Sequence, residues 1–140
     1  RFFGEPFMPR NPGVYAGMLG EKMERHGTQV YLVNTGWSGG PYGEGQRMDI
    51  TLTREMVQAA LSGALKDVAY RENKMFHLQV PLTCPGIPDD SILAPRTTWS
   101  NPDAYDRRAQ KLASEFAAHF DKAYGDKGID PEVRAQCPGK

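Results

Sequence analysis

Cysteine is almost missing from this chain: only Cys84 and Cys137 occur among 140 residues. They lie far apart and form no CxxC pair, so neither a disulfide framework nor a zinc ribbon is written here. Net charge is missing as well. Lys plus Arg and Asp plus Glu stand at 17 each, which leaves no field to draw the chain to nucleic acid or to an anionic membrane surface. No apolar run approaches the roughly 18 residues of a membrane helix, and no basic, apolar, small-residue leader opens the chain. These absences point to a reducing, cytoplasmic setting with neither nucleic acid nor membrane as a partner.

Two kinds of chemistry are also missing. No GxxxxGK[ST] segment occurs, so a triphosphate finds no Walker-type cradle and a free-standing P-loop enzyme is excluded. His26, His77 and His119 never stand three or four residues from another His or Cys that would complete a metal site. His26 falls in the last turn of an expected helix, where an imidazole suits the negative end of the dipole. His77 is expected to alternate outward between Phe76 and Leu78. The acid pairs Asp89-Asp90 and Asp126 to Asp130 have nothing beside them to complete a site and read as solvated loop acids. Cys84, between Thr83 and Pro85 with no adjacent base, reads as a small packing residue.

Glycine and proline are plentiful, at 15 and 11, which points to many turns. Asn11-Pro12 supplies a cap and a first-turn proline, and Tyr15, Met18, Leu19, Met23 and His26 follow at helical spacing up to Gly27. Val30 to Val33 is continuously apolar within Gln29 to Asn34 and predicts a central strand buried on both faces. Residues 34–46 form a loop with five glycines. Arg47 to Leu52 then alternates as a short strand, and Thr53 is placed to cap a helix carrying Met56, Val57, Ala60 and Leu61 up to Gly63. Val68 to Tyr70 and Met75 to Val80 read as a hairpin turning at Glu72 to Lys74.

Pro81 to Arg96 reads as an ordered loop with a helical hint at Ser91-Ile92-Leu93. Asn101-Pro102-Asp103 starts the strongest helix, 102–124, whose aromatic stripe Tyr105, Phe116, Phe120 and Tyr124 is assigned to docking. Gly125 ends it. Residues 1–125 are thus expected to form the folded part and 126–140 a flexible tail. Arg1 is not Met, and the apolar entry through Phe2, Phe3, Pro6 and Phe7 reads as an excised piece of a longer protein. The overall class expected is α/β with a mixed sheet.

The glycine loop leading into Arg47 leaves two readings open, a sharp turn between strands or a backbone that a ligand approaches closely. Trp37 and Tyr42 within it can pin the loop to the core or wall a pocket, and pinning is the simpler expectation. Thr53 at a helix N-terminus can cap, bind a ligand oxygen, or do both.

Four segments matter jointly: FGEPFM at 3–8, YLVNTGWSGGPYGEGQRM at 31–48, VPLTCPGIP at 80–88 and ILAPRTTW at 92–99. Together they resemble the ATP-dependent phosphoenolpyruvate carboxykinase family, in one register from Phe2 to Tyr124. The resemblance implies the C-terminal mononucleotide-binding lobe of a bilobal cytoplasmic enzyme that turns oxaloacetate and ATP into phosphoenolpyruvate, carbon dioxide and ADP for gluconeogenesis. It implies ATP and a divalent metal, Mg2+ or Mn2+, as cofactors. Base and sugar contacts fall on Arg47, Met48 and Thr53. The P-loop, the metal ligands and the oxaloacetate-binding arginines are implied to lie upstream of Arg1, in the missing N-terminal part of the same enzyme, so no catalytic or metal-ligating residue is assigned here. Asp49 stands where the family more often carries serine, and Pro9-Arg10-Asn11 departs from the usual residues. A rival reading from another class is a non-catalytic fold or interaction module with the nucleotide pocket unused.

Overall fold

The computed structural model describes residues 7–140, so Phe2, Phe3 and most of the FGEPFM segment lie outside the described residues. Helix α1 runs Pro12–His26, and its ends are set locally: the Asn11 side chain accepts from the Gly13 N–H, and Gly27 takes a left-handed conformation at the C-terminus. Strands β1 (Trp37–Ser38) and β2 (Gln46–Arg47) pair antiparallel, with Trp37 opposite Arg47 and Ser38 opposite Gln46. Helix α2 spans Ile50–Ser62 and stops at Gly63. Strands β3 (Tyr70–Asn73) and β4 (Leu78–Pro81) form a second antiparallel hairpin. A short 3-10 turn at Asp90–Leu93, α3 (Pro95–Thr98), α4 (Pro102–Tyr124) and α5 (Pro131–Ala135) complete the order. The class is therefore mixed helix and small antiparallel sheets.

Three expected elements differ. Gln29 to Asn34 is irregular and not a central strand; Val30, Leu32 and Val33 are all exposed. The strand expected over Arg47 to Leu52 is confined to Gln46–Arg47, because Asp49, an intrinsically better cap than Thr53, accepts from the Thr51 N–H at 2.6 Å and starts α2 four residues early. The β3–β4 turn falls two residues later than Glu72. It includes His77 at a φ of 52°, so His77 sits in the turn and does not alternate on a strand.

The buried centre is thin. Ala59 of α2, Leu65 and Cys84 form a cluster on which Met56, Val68, Ile87 and Leu93 pack. Cys84 is thus the packing residue its neighbours implied, and its backbone N–H donates to Asp90 at 2.8 Å. Asp90 and Asp89 are structural and not simply solvated, since Asp89 caps the 3-10 turn through Ser91. On α4 the buried positions are Ala109 and Ala113, while Leu112 and, from the aromatic stripe, Phe116 stay over 40% exposed.

Residues after Gly125 turn back onto the body. Asp130 caps α5, Arg134 donates to the Gly125 carbonyl, and Lys140 pairs with Asp121 at 2.7 Å. Cys137 is buried. The Asn11 amide also donates to the Lys127 carbonyl at 2.8 Å, joining the start of α1 to this segment. Among the described residues no helix is long and apolar enough to cross a membrane.

The α4 cap gives a direct check on how much stability local chemistry supplies. The Asn101 side chain accepts from both Asp103 N–H and Ala104 N–H, and removing a cap of this kind costs about 1 kcal/mol. Asn101→Ala should lower the unfolding free energy by about that amount in a urea titration, while Asn101→Asp should retain most of it.

Candidate nucleotide-contact site at the β2–α2 junction

The glycine loop folds into a hairpin whose backbone closes on itself. The Pro41 carbonyl accepts from the Glu44 and Gly45 N–H groups at 3.1 and 2.9 Å. Gly40 is buried, and a Cβ on it would stand 2.9 Å from the Gly45 nitrogen. A Cβ on Gly45 would come within 2.7 Å of the Ser38 carbonyl oxygen, closer than side-chain carbon tolerates. What approaches the backbone at these glycines is the backbone of the same loop, so the turn reading accounts for Gly40 and Gly45 without a ligand.

Trp37 and Tyr42 meet edge to face at 5.2 Å between ring centres. Tyr42 is 83% exposed, so this pair braces the hairpin against itself and does not pin it to the core. The hairpin instead rests on α3. The Ser38 hydroxyl lies 3.5 Å from the Thr98 hydroxyl, and a Cβ on Gly39 would stand 3.3 Å from the Thr98 carbonyl oxygen. Two of the segments that define the family resemblance, NTGWSGG and APRTTW, therefore touch in space. Arg96 of the second holds Asp106 of α4 through three N–H to carboxylate contacts of 2.9 to 3.1 Å. That partner raises the guanidinium pKa and lowers the carboxyl's.

Arg47 ends β2 exposed, with no ion pair among the described residues. Met48 is half-buried, and its N–H donates to the Gly36 carbonyl at 3.0 Å, so its backbone donor is committed to the hairpin. Thr53 lies one turn inside α2. Its N–H donates to the Asp49 carbonyl at 3.1 Å and its hydroxyl reaches the same oxygen at a long 3.3 Å. Thr53 is thus not the helix cap. Its hydroxyl is the group left with capacity to exchange partners, since a bond of that length is weak. The three residues share one β2–α2 junction, with Asp49 between them as the cap that fixes where the helix begins. Sequence reading assigned no role to Asp49 beyond noting the departure from serine, although an Asp immediately before an apolar helical residue, here Ile50, is itself an N-cap signal.

A groove of about 460 Å³ runs along α2 between Gln29, Tyr31 and Val33 on one side and Val57, Ala60 and Leu61 on the other. None of the three junction residues lines it. Among the described residues no group of three or more His, Cys, Asp or Glu side chains converges to hold a metal ion.

Helices joined to small antiparallel hairpins, with an arginine presented beside a capped helix start, define a mixed α/β segment. Comparison with known proteins supplies the family: the phosphoenolpyruvate carboxykinase model matches residues 1–90. The chain is 54% identical over 136 residues to the phosphoenolpyruvate carboxykinase (ATP) of Thermus thermophilus and 52% identical over 136 residues to that of Caldanaerobacter subterraneus. It is 48% identical over 136 residues to phosphoenolpyruvate carboxykinase (ATP) 2 of Moorella thermoacetica. Each match covers 97% of this chain and 25% of the relative, so the chain spans about a quarter of their length. The chain belongs to the phosphoenolpyruvate carboxykinase family.

Two outcomes follow from the junction. Gly45→Ala forces the Ser38 and Gly40 backbones apart and should cost about 1–3 kcal/mol, the range for overpacking, read as a lower melting temperature. The second concerns acid. The Thr51 N–H, then the Thr51 hydroxyl, hold the Asp49 carboxyl below its ordinary value. The folded state therefore binds fewer protons there than the unfolded state. The cap's contribution is whole above the unfolded value of about 3.9 and is lost as pH falls through the lower folded value. Amide exchange at Thr51 and Leu52 should accelerate as pH drops below about 4, relative to the intrinsic rate, and Asp49→Asn should abolish that pH dependence while keeping a cap.

Proposed function

We propose that this chain is the adenine- and ribose-side portion of the C-terminal, mononucleotide-binding lobe of an ATP-dependent phosphoenolpyruvate carboxykinase. In that reading residues 1–125 belong to the lobe and 126–140 form its tail. The whole enzyme decarboxylates oxaloacetate and transfers the γ-phosphoryl group of ATP to the resulting enolate oxygen, giving phosphoenolpyruvate, carbon dioxide and ADP. The observation that carries the reading is the exposed Arg47 beside the α2 start, without an ion pair among the described residues, in a chain about half identical to carboxykinases that are named for ATP.

The junction limits what each residue does. The planar Arg47 cation stacks on a purine face or donates to ribose oxygens. Met48, its N–H spent on Gly36, offers its thioether and carbonyl. Thr53 exchanges its long bond to Asp49 for a ribose hydroxyl. A stacked guanidinium contributes about 0.5–2 kcal/mol, far from tight binding, so the phosphate contacts of the rest of the enzyme supply most of the affinity. The divalent metal finds no ligand set among the described residues.

In the intact enzyme Arg47→Ala should raise KM for ATP roughly 2- to 30-fold, the equivalent of 0.5–2 kcal/mol, with kcat little changed. An unchanged KM would refute the assignment. The 140-residue chain alone should show no turnover with oxaloacetate, ATP and Mn2+, because phosphoryl transfer depends on positioning and metal electrostatics that it lacks. Turnover by the chain alone would overturn that expectation.

A further inference from the structure

Helix α3 is four residues long and begins at Ala94 without a side-chain cap. The Thr97 and Thr98 hydroxyls donate back to the Ala94 and Pro95 carbonyls at 2.8 Å, which closes the single turn but does not orient it. One turn of helix has too few backbone bonds to hold itself, so its direction is set by what it leans on. Two contacts tie it to the 23-residue helix α4. The Arg96 guanidinium donates to both carboxylate oxygens of Asp106 at 2.9 to 3.1 Å. Trp99, just after α3, meets Tyr105 edge to face at 5.6 Å between ring centres.

Helix α3 in turn supports the glycine hairpin. The Thr98 hydroxyl lies 3.5 Å from that of Ser38, and a Cβ on Gly39 would stand 3.3 Å from the Thr98 carbonyl oxygen. Gly39 has a φ of 77°, so this close seat on Thr98 depends on a residue without a side chain. Ser38 pairs with Gln46 and Trp37 with Arg47. A shift of Thr98 is therefore passed across a two-residue ladder to Arg47. The chemistry of the Arg96–Asp106 pair suits orientation better than adhesion. Its side chains are 53% and 48% exposed, so it adds little to folding free energy. A guanidinium fork on a carboxylate nonetheless fixes relative direction in a way that a single contact does not.

We propose that Arg96, through Asp106, is a positioning residue for ATP: the pair orients α3, Thr98 seats the hairpin, and the hairpin sets the direction in which Arg47 meets the base and ribose. Arg96 acts without touching the nucleotide, since its guanidinium is committed to Asp106. This rests on the reading of Arg47 as a base- and ribose-contact residue.

Kinetics and amide exchange on the intact enzyme that carries this sequence test it, with Arg47→Ala, Arg96→Ala, Asp106→Ala and their doubles measured together. Arg96→Ala should raise KM for ATP roughly 2-fold or more, up to the rise seen in Arg47→Ala. Its kcat, KM for oxaloacetate and melting temperature should change little. Asp106→Ala should do the same, and the Arg96→Ala/Asp106→Ala double should be no worse than either single. Added to Arg47→Ala, Arg96→Ala should raise KM no further, whereas a general loss of structure would add to it and lower kcat as well. The Met48 amide, which donates to the Gly36 carbonyl across the hairpin, should exchange faster in Arg96→Ala than in the wild type. Should Arg96→Ala not fold, Arg96→Lys, which keeps the charge and loses the fork, supplies the same comparison. A raised KM in Arg47→Ala beside a wild-type KM in the Arg96 variant overturns this proposal alone, because Trp99 and Tyr105 then suffice to orient α3. Additive KM effects of Arg96→Ala and Arg47→Ala also overturn it alone. An unchanged KM in Arg47→Ala removes both readings.

Discussion

The backbone crossing at Gly40 and Gly45 is the contact on which the rest of the candidate site depends. Because neither residue carries a Cβ, the hairpin closes tightly enough for Gly36 to accept from Met48 and for Trp37 to stand opposite Arg47. That register places Asp49 just after β2, where it caps α2. The inner face of α2 then brings Met56 and Ala59 onto Leu65 and Cys84. A bulkier residue at either glycine would displace Arg47 and the helix together, so the geometry of the junction and the packing of the small core are one problem.

Local chemistry carries much of the order here because the core does not. Among the described residues the buried hydrophobic ones are Ala59, Leu65, Cys84, Ala109, Ala113 and Cys137, most of them small, and small side chains remove little apolar area from water. Against that, Asn11, Asp49, Asn101 and Asp130 each cap a helix with a side-chain oxygen. The Arg96–Asp106 pair links α3 to α4 at the surface, and pairs so exposed contribute little to stability. A chain built this way keeps its helices defined while leaving broad apolar surface exposed, Leu32, Leu61 and Ile50 among it.

What could be read from residues alone followed from short-range signals. The Asn11-Pro12 and Asn101-Pro102 starts and the Gly27 and Gly63 stops fall where capping chemistry puts them, because a cap involves only a few neighbouring residues. The β3–β4 hairpin was legible for the same reason, though its turn shifted to include His77. Thr53 was misread as a cap because Asp49, four residues earlier, competes for the same role and wins. The stripe on α4 overstated burial: spacing marks which residues share a face, but not how much of that face meets a neighbour.

By itself the sequence determined the family, most of the helix ends, the β3–β4 hairpin and the residues gathered at the β2–α2 junction, since each is set by contacts between near neighbours or by a motif read whole. Only tertiary structure decided that the glycine loop packs against its own backbone and against Thr98, that Met48 has no free N–H, and that Val30 to Val33 lies uncovered. These depend on which distant segments meet. An extended segment, unlike a capped helix, cannot satisfy its backbone from within itself, so apolar pattern alone did not decide whether Val30 to Val33 would pair as a strand.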